Sequence, residues 1–177
     1  MKVAIGSIIV FVLLVAFAGL IYMYSGAYNV SAKAPDSAIT AWVLRTTRDR
    51  SIENHSGDVS PPADLSNPQM IHAGAERYRE DCSACHGSPG DYPGPIGKGL
   101  NPRPPKLWAA RGGGESRELY WVIMHGIKMT GMPAWDHEYA PDQAWSVVAF
   151  LEALPKLSPE QYRQLTGGSP AKQEGQQ

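Results

Sequence analysis

The stretch DCSACHGSPG, residues 81–90, holds both cysteines of the chain, Cys82 and Cys85, with His86 directly after them. Two thiols and an adjacent imidazole suit four chemistries: a disulfide, part of a zinc site, a thiol redox pair, or covalent attachment of haem. The rest of the sequence chooses among them. A zinc site needs a fourth ligand and usually a second cysteine pair, and the chain has no further cysteine. A redox C-x-x-C belongs in a βαβ context, and none surrounds this one. A disulfide across two residues closes a very small loop and stabilises little. C-x-x-C-H is the attachment pattern of c-type haem. Two thioether bonds fix one edge of the macrocycle, and the next residue brings its imidazole to the iron as proximal ligand. One covalent haem c on Cys82, Cys85 and His86 is therefore expected.

The sixth ligand must come from elsewhere. GIKMTGMPAW, residues 126–135, offers Met129 and Met132, flanked by His125 and His137. A thioether on the iron raises the potential and suits electron transfer. Spacing alone does not separate the two methionines. Met132 lies between Gly131 and Pro133, in a break between helices where a loop can aim a side chain, and is favoured. Met129 suits packing on a haem edge. Arg103, Trp108 and Trp135 are candidate partners for haem propionates. His55, His72 and His137 read as solvated histidines, whereas His125 could tune the site through its charge near neutral pH.

These residues need elements to position them. Asn67-Pro68 is a capping side chain followed by a first-turn proline, and it opens a helix that runs into Cys82. A second helix begins near Ser116 and breaks at Gly126. A third follows Pro141-Asp142 and ends before Pro155. Of the eighteen glycines and fifteen prolines, eight and six fall between Gly87 and Gly114 and predict a long irregular loop rather than a sheet. Three helices make a small core for about 90 residues unless another apolar body fills it.

Outside this domain, residues 3–24 carry no charge and are long enough to cross the roughly 30 Å hydrocarbon core of a membrane. Tyr22, Tyr24 and Tyr28 suit the interface. A cleaved signal peptide is the alternative, but the apolar run exceeds the ~7–15 residues of such a segment. Lys2 favours a cytoplasmic N-terminus, with the domain on the other side. A helix from Ser37 to about Asn54, apolar early and arginine-rich late, reads as lying against lipid headgroups or as a docking surface. HSGDVSPPADLS, residues 55–66, reads as a linker. The expected division is 1–28 anchor, 29–66 juxtamembrane helix and linker, 67–156 haem domain and 157–177 disordered tail. Sixteen basic against seventeen acidic residues give a nucleic-acid role no electrostatic support.

Residues 67–156 resemble the class I c-type cytochromes. Gly74 and Tyr78 precede Cys82 at the family's intervals, and Val147 and Phe150 resemble the C-terminal helix positions that pack against that pair. Pro105-Lys106-Leu107 is similar to the family's P-x-L. The resemblance implies that the Pro105 carbonyl accepts a hydrogen bond from His86 and that Leu107 packs on the haem ring. GMPAW is similar to the methionine-ligand segment of bacterial members, which supports Met132. The implied fold is all-α, three to four helices wrapped around a covalent haem; the apolar run at 3–24, outside the resemblance, adds one N-terminal transmembrane helix before it.

The function implied is single-electron transfer, not catalysis, by a protein anchored in the bacterial inner membrane with its haem domain in the periplasm. Expected partners are a quinol-oxidising complex, a terminal oxidase or a periplasmic dehydrogenase, met as a diffusing carrier or as a subunit of a larger oxidoreductase. The alternative is a haem protein with a labile sixth ligand, acting as small-ligand sensor or peroxidase. GMPAW argues against it, as does the lack of a recognisable distal acid–base pair.

Overall fold

The structure, a computed structural model, describes residues 2–109 and 114–167. The chain divides into two compact units between Pro35 and Asp36. In the first, α1 (Lys2–Tyr24) is a helix of 23 residues, about 35 Å long at 1.5 Å per residue. Ile8, Phe11, Leu14 and Phe17 are each more than half exposed. A helix that is apolar all round and unpacked is compatible with a single-pass membrane anchor.

The second unit is helical, with no strand among the described residues and one isolated bridge between Ser88 and Asp91. Its first helix, α2 (Ala38–His55), starts where the Ser37 hydroxyl accepts from the Thr40 N–H at 3.1 Å. The C-terminal end of α2 meets α6 (Ser116–His125), the His55 and Trp121 rings lying 5.8 Å apart. Ile39, Trp42 and Leu44, on the first turns, stay exposed. The expected linker at 55–66 is not slack. Ser56 is fully buried, and Val59 and Leu65 pack against the core. Two apolar residues among prolines and serines were enough to pin it.

The core forms where α3 (Pro68–Arg77) crosses α7 (Pro141–Ala153). Asn67 caps α3 by accepting from the Gln69 N–H at 2.9 Å, with Pro68 in the first turn. At the crossing sits Gly74, where an added Cβ would lie 1.9 Å from the Ser146 carbonyl oxygen and 2.9 Å from the Phe150 Cβ. Only glycine lets the backbones approach that closely. One side of the crossing holds Ile123, Tyr139, Ala144, Trp145, Val147 and Val148. The other holds Ala75, Tyr78, Phe150, Leu154 and Tyr162.

Tyr162 belongs to a helix the sequence did not predict. Residues 157–177 were expected as a disordered tail, yet α8 (Pro159–Thr166) is formed and buries Tyr162 and Thr166. The Ser158 hydroxyl accepts from the Gln161 N–H at 3.2 Å, while the Gln161 side chain accepts from the Ser158 N–H at 2.8 Å. This reciprocal cap, S-P-E-Q, was the overlooked signal. Gly167 ends the helix in the left-handed region, φ 61°. The rest of the expected tail, 168–177, lies outside the described residues.

Candidate haem site

After α3 the chain does not run straight into the cysteines. Tyr78–Cys82 forms one π turn, with the Ser83 N–H bonded to the Tyr78 carbonyl, and a single turn of helix, α4 (Ser83–His86), follows. Such a widened turn re-aims the side chains that follow it. Tyr78 is fully buried and its hydroxyl donates to the Gly87 carbonyl at 2.7 Å. That bond ties the start of the attachment segment to its end. Gly87, at φ 74°, stops the helix directly after His86, and an added Cβ there would lie 2.9 Å from the Asp91 carbonyl oxygen.

Both thiols are free and half-buried. Burial, with smaller contributions from Asp81 and Cys85, pushes the Cys82 thiol up to about 12. His86 is half-buried, and burial lowers its pKa from the ordinary histidine value against the opposing effect of Pro105. Its Nδ1 lies 2.8 Å from the Pro105 carbonyl oxygen. A carbonyl can only accept, so Nδ1 carries the proton and Nε2 keeps its lone pair. A neutral imidazole with a free, oriented Nε2 is the form that binds iron.

Two further pieces surround this segment. In α5 (Pro95–Gly99), Gly97 lies so near Cys85 that an added Cβ would be 2.4 Å from the Cys85 carbonyl oxygen. The Gly94 N–H donates to the Ala84 carbonyl at 3.1 Å. Leu100, just beyond α5, touches Gly131 of the methionine loop, where an added Cβ would be 2.6 Å from the leucine methyls. α5 with Leu100 thus bridges the two segments that the sequence singled out. Gly97 and Leu100 carried no sequence signal, being one glycine among many and one leucine in a loop.

The methionine loop folds back on itself. The Ile127 N–H donates to the Met132 carbonyl at 3.1 Å and the Thr130 N–H to the Ile127 carbonyl at 3.2 Å. The Thr130 hydroxyl accepts from the Met132 N–H at 3.1 Å. Met129 stands at the tip in the left-handed region, φ 59°, 91% exposed. Met132 is half-buried.

Among the remaining candidates, Leu107 and Trp108 pack on the cluster that includes Tyr78 and Cys82. The Trp108 Nε1 is buried without a hydrogen-bond partner, a donor left for a group outside the chain. Trp135 is half-buried and stacks on Tyr139 at 5.2 Å. Arg103 is exposed. His125 stacks on Trp121 at 4.7 Å. Among the described residues no three His, Cys, Asp or Glu side chains gather as a cation site. Two thiols, one neutral imidazole nitrogen, a thioether and an unpaired buried N–H are a donor set that fits haem c.

Residues 69–151, a little under half of the chain, match the family model described as cytochrome c oxidase, cbb3-type, subunit III. No curated protein matches the chain significantly. A similar solved structure is a chain of the reducing HAO-like protein complex of Kuenenia stuttgartiensis, 24% identical with a TM-score of 0.44. That likeness covers 54% of this chain and 50% of the other, so this chain spans half the length of the structure it matches. The family match falls on the residues that build the site, from the capped start of α3 to the end of the α7 crossing. The match makes residues 69–151 similar to a c-type cytochrome domain, a kind of domain that holds haem c and transfers electrons.

Proposed function

We propose that the chain is a membrane-anchored monohaem cytochrome that passes single electrons between partners on the periplasmic side. It serves as a carrier or a subunit and has no substrate turnover of its own. The observation that carries this reading is the 2.8 Å bond from His86 Nδ1 to the Pro105 carbonyl. It leaves one imidazole lone pair fixed beside two free thiols. Bound haem c supplies the one-electron ferric/ferrous couple.

The chain's own residues do the rest. Cys82 and Cys85 would bond the haem vinyl groups, and His86 Nε2 and the Met132 thioether would hold its iron. Pro105 fixes the imidazole plane, and Leu107 would pack against the bound haem. The buried Trp108 N–H suits a propionate. Arg103 and Trp135 are further candidates for a propionate. With His86 and Met132 both holding the iron, little would rearrange on electron uptake and no position would be open to a small molecule. The two cysteines of the chain allow one haem. The family description, that of an oxidase subunit, favours a terminal oxidase among the candidate partners. The apolar helix α1 holds the domain near such complexes and raises its effective concentration there.

The test is the ferric absorption spectrum of haem-loaded, full-length protein in detergent, parent beside Met132→Ala. A weak far-red sulfur–iron band in the parent, lost in the variant, is the expected result. Ready carbon monoxide binding by the ferrous parent would instead point to a labile sixth site and a small-ligand role. Co-purification from membranes then identifies the redox partners.

A further inference from the structure

We propose that Tyr139 and Asp81 form a latch that holds the methionine loop over the haem-attachment segment, making Tyr139 a positioning residue for the sixth ligand. The inference rests on Met132 being that ligand. The Tyr139 hydroxyl donates to the Asp81 carboxylate at 2.5 Å, joining positions 58 residues apart. Asp81 directly precedes Cys82 within the π turn. Tyr139 closes the segment that leaves Met132, its N–H bonded to the Trp135 carbonyl at 2.7 Å.

The loop's backbone bonds run elsewhere. Trp135 N–H donates to the Ile123 carbonyl at 3.1 Å and Asp136 N–H to the Met124 carbonyl at 3.2 Å, both on α6. They fix the loop to the helix before it and leave its link to the attachment segment to side chains. Leu100 against Gly131 is one such contact; the tyrosine–aspartate bond is a polar one. Tyr139 is 3% exposed. Trp135 stacks on its ring at 5.2 Å, and the Arg77 guanidinium lies 4.9 Å from the ring centre. The ring is held by packing, so the hydroxyl has a fixed direction, and a hydrogen bond to a carboxylate is among the stronger kinds.

A thioether is a weak ligand whose occupancy follows the position of the loop that presents it. Cutting the latch therefore loosens Met132 before it loosens the fold. Tyr139→Phe keeps the ring and removes the bond, Asp81→Ala removes it from the other side, and Asp81→Asn retains an acceptor oxygen. The measurement uses haem-loaded, full-length protein and follows three signals: the far-red sulfur–iron band on heating, ferrous carbon monoxide association, and far-UV circular dichroism. Expected for Tyr139→Phe and Asp81→Ala is loss of the band well below the dichroism transition. Carbon monoxide association should rise about tenfold, the factor that ~1.4 kcal/mol represents. The double variant should match either single one, and Asp81→Asn should recover most of the parent behaviour.

If the band and the dichroism shift together, or if neither the band nor carbon monoxide binding moves, the latch is wrong while the ligand assignment stands. A parent without the band overturns the ligand assignment and the latch together. Should Tyr139→Phe fail to fold, the two Asp81 variants, at an exposed carboxylate, decide the matter.

Discussion

The two sides of the haem domain are built on different principles. Where α3 crosses α7 and α8 closes over them, rings and a glycine meet at fixed distances. Tyr78 and Phe150 lie 5.3 Å apart, and Tyr162 sits 6.2–6.4 Å from both. On the other side, from His86 to Leu107 and from Gly126 to Trp135, ligand candidates hang on turns, short helices and contacts of loop on loop. The first side makes the fold possible; the second sets what the iron experiences. A change on the helix side should therefore be read in stability, and one on the loop side in ligation and potential.

The largest effect that would sharpen this contrast is at the crossing. Gly74→Val puts carbon where the Ser146 carbonyl already is, 1.9 Å from the new Cβ. Neither backbone can yield without separating the helices. Overpacking of this kind costs about 3 kcal/mol or more, out of a total of ~5–15 kcal/mol. Thermal unfolding of the haem-loaded protein should fall by more than about 10 °C, or the variant should fail to mature. A mild drop would mean that the crossing is looser than it looks.

The contrast should invert in the loop. Met132→Ala is expected to lower the reduction potential by on the order of 0.1 V, within the ~0.8 V range that axial ligands command. Its effect on unfolding should be smaller than that of Gly74→Val. Met129→Ala should leave both nearly unchanged, because its side chain is 91% exposed. Potentiometric titration of the two variants beside the parent separates them. If Met129→Ala were the one to move the potential, the assignment within GIKMTGMPAW would have to be exchanged.

The helix side was also the more legible in sequence. Asn67-Pro68 and Pro141-Asp142 mark helix starts by local chemistry, and the spacing of Gly74 and Tyr78 from Cys82 is local too. So is C-x-x-C-H. The His86–Pro105 bond was anticipated through resemblance, and the geometry contains it. What escaped was non-local or masked by composition. Nothing in the sequence links Asp81 to Tyr139. Val59 and Leu65 vanish in a Pro/Ser stretch, and α8 was hidden by a polar composition although its cap was written in four letters.

That cap gives the smallest and most exacting test. If α8 belongs to the packed side, weakening its first turn should cost stability without touching the iron. Ser158→Ala removes the hydroxyl that accepts from Gln161, a loss of about 1 kcal/mol, and the reduction potential should stay where it is. Acid should act in the same direction. The Glu160 carboxyl is held below its ordinary value of 4.5, first by its own backbone N–H, then by Ser158, with Arg163 adding less. Its folded pKa is thus lower than its unfolded one. The stabilisation is complete above the ordinary value and fades as pH falls through the folded one, so Glu160→Gln should flatten a small part of the acid limb. This carboxyl is fully exposed, and salt should screen the effect. A Ser158→Ala variant that moved the potential more than the unfolding temperature would mean that α8 reaches the haem, and the division between the two sides would fail at that point.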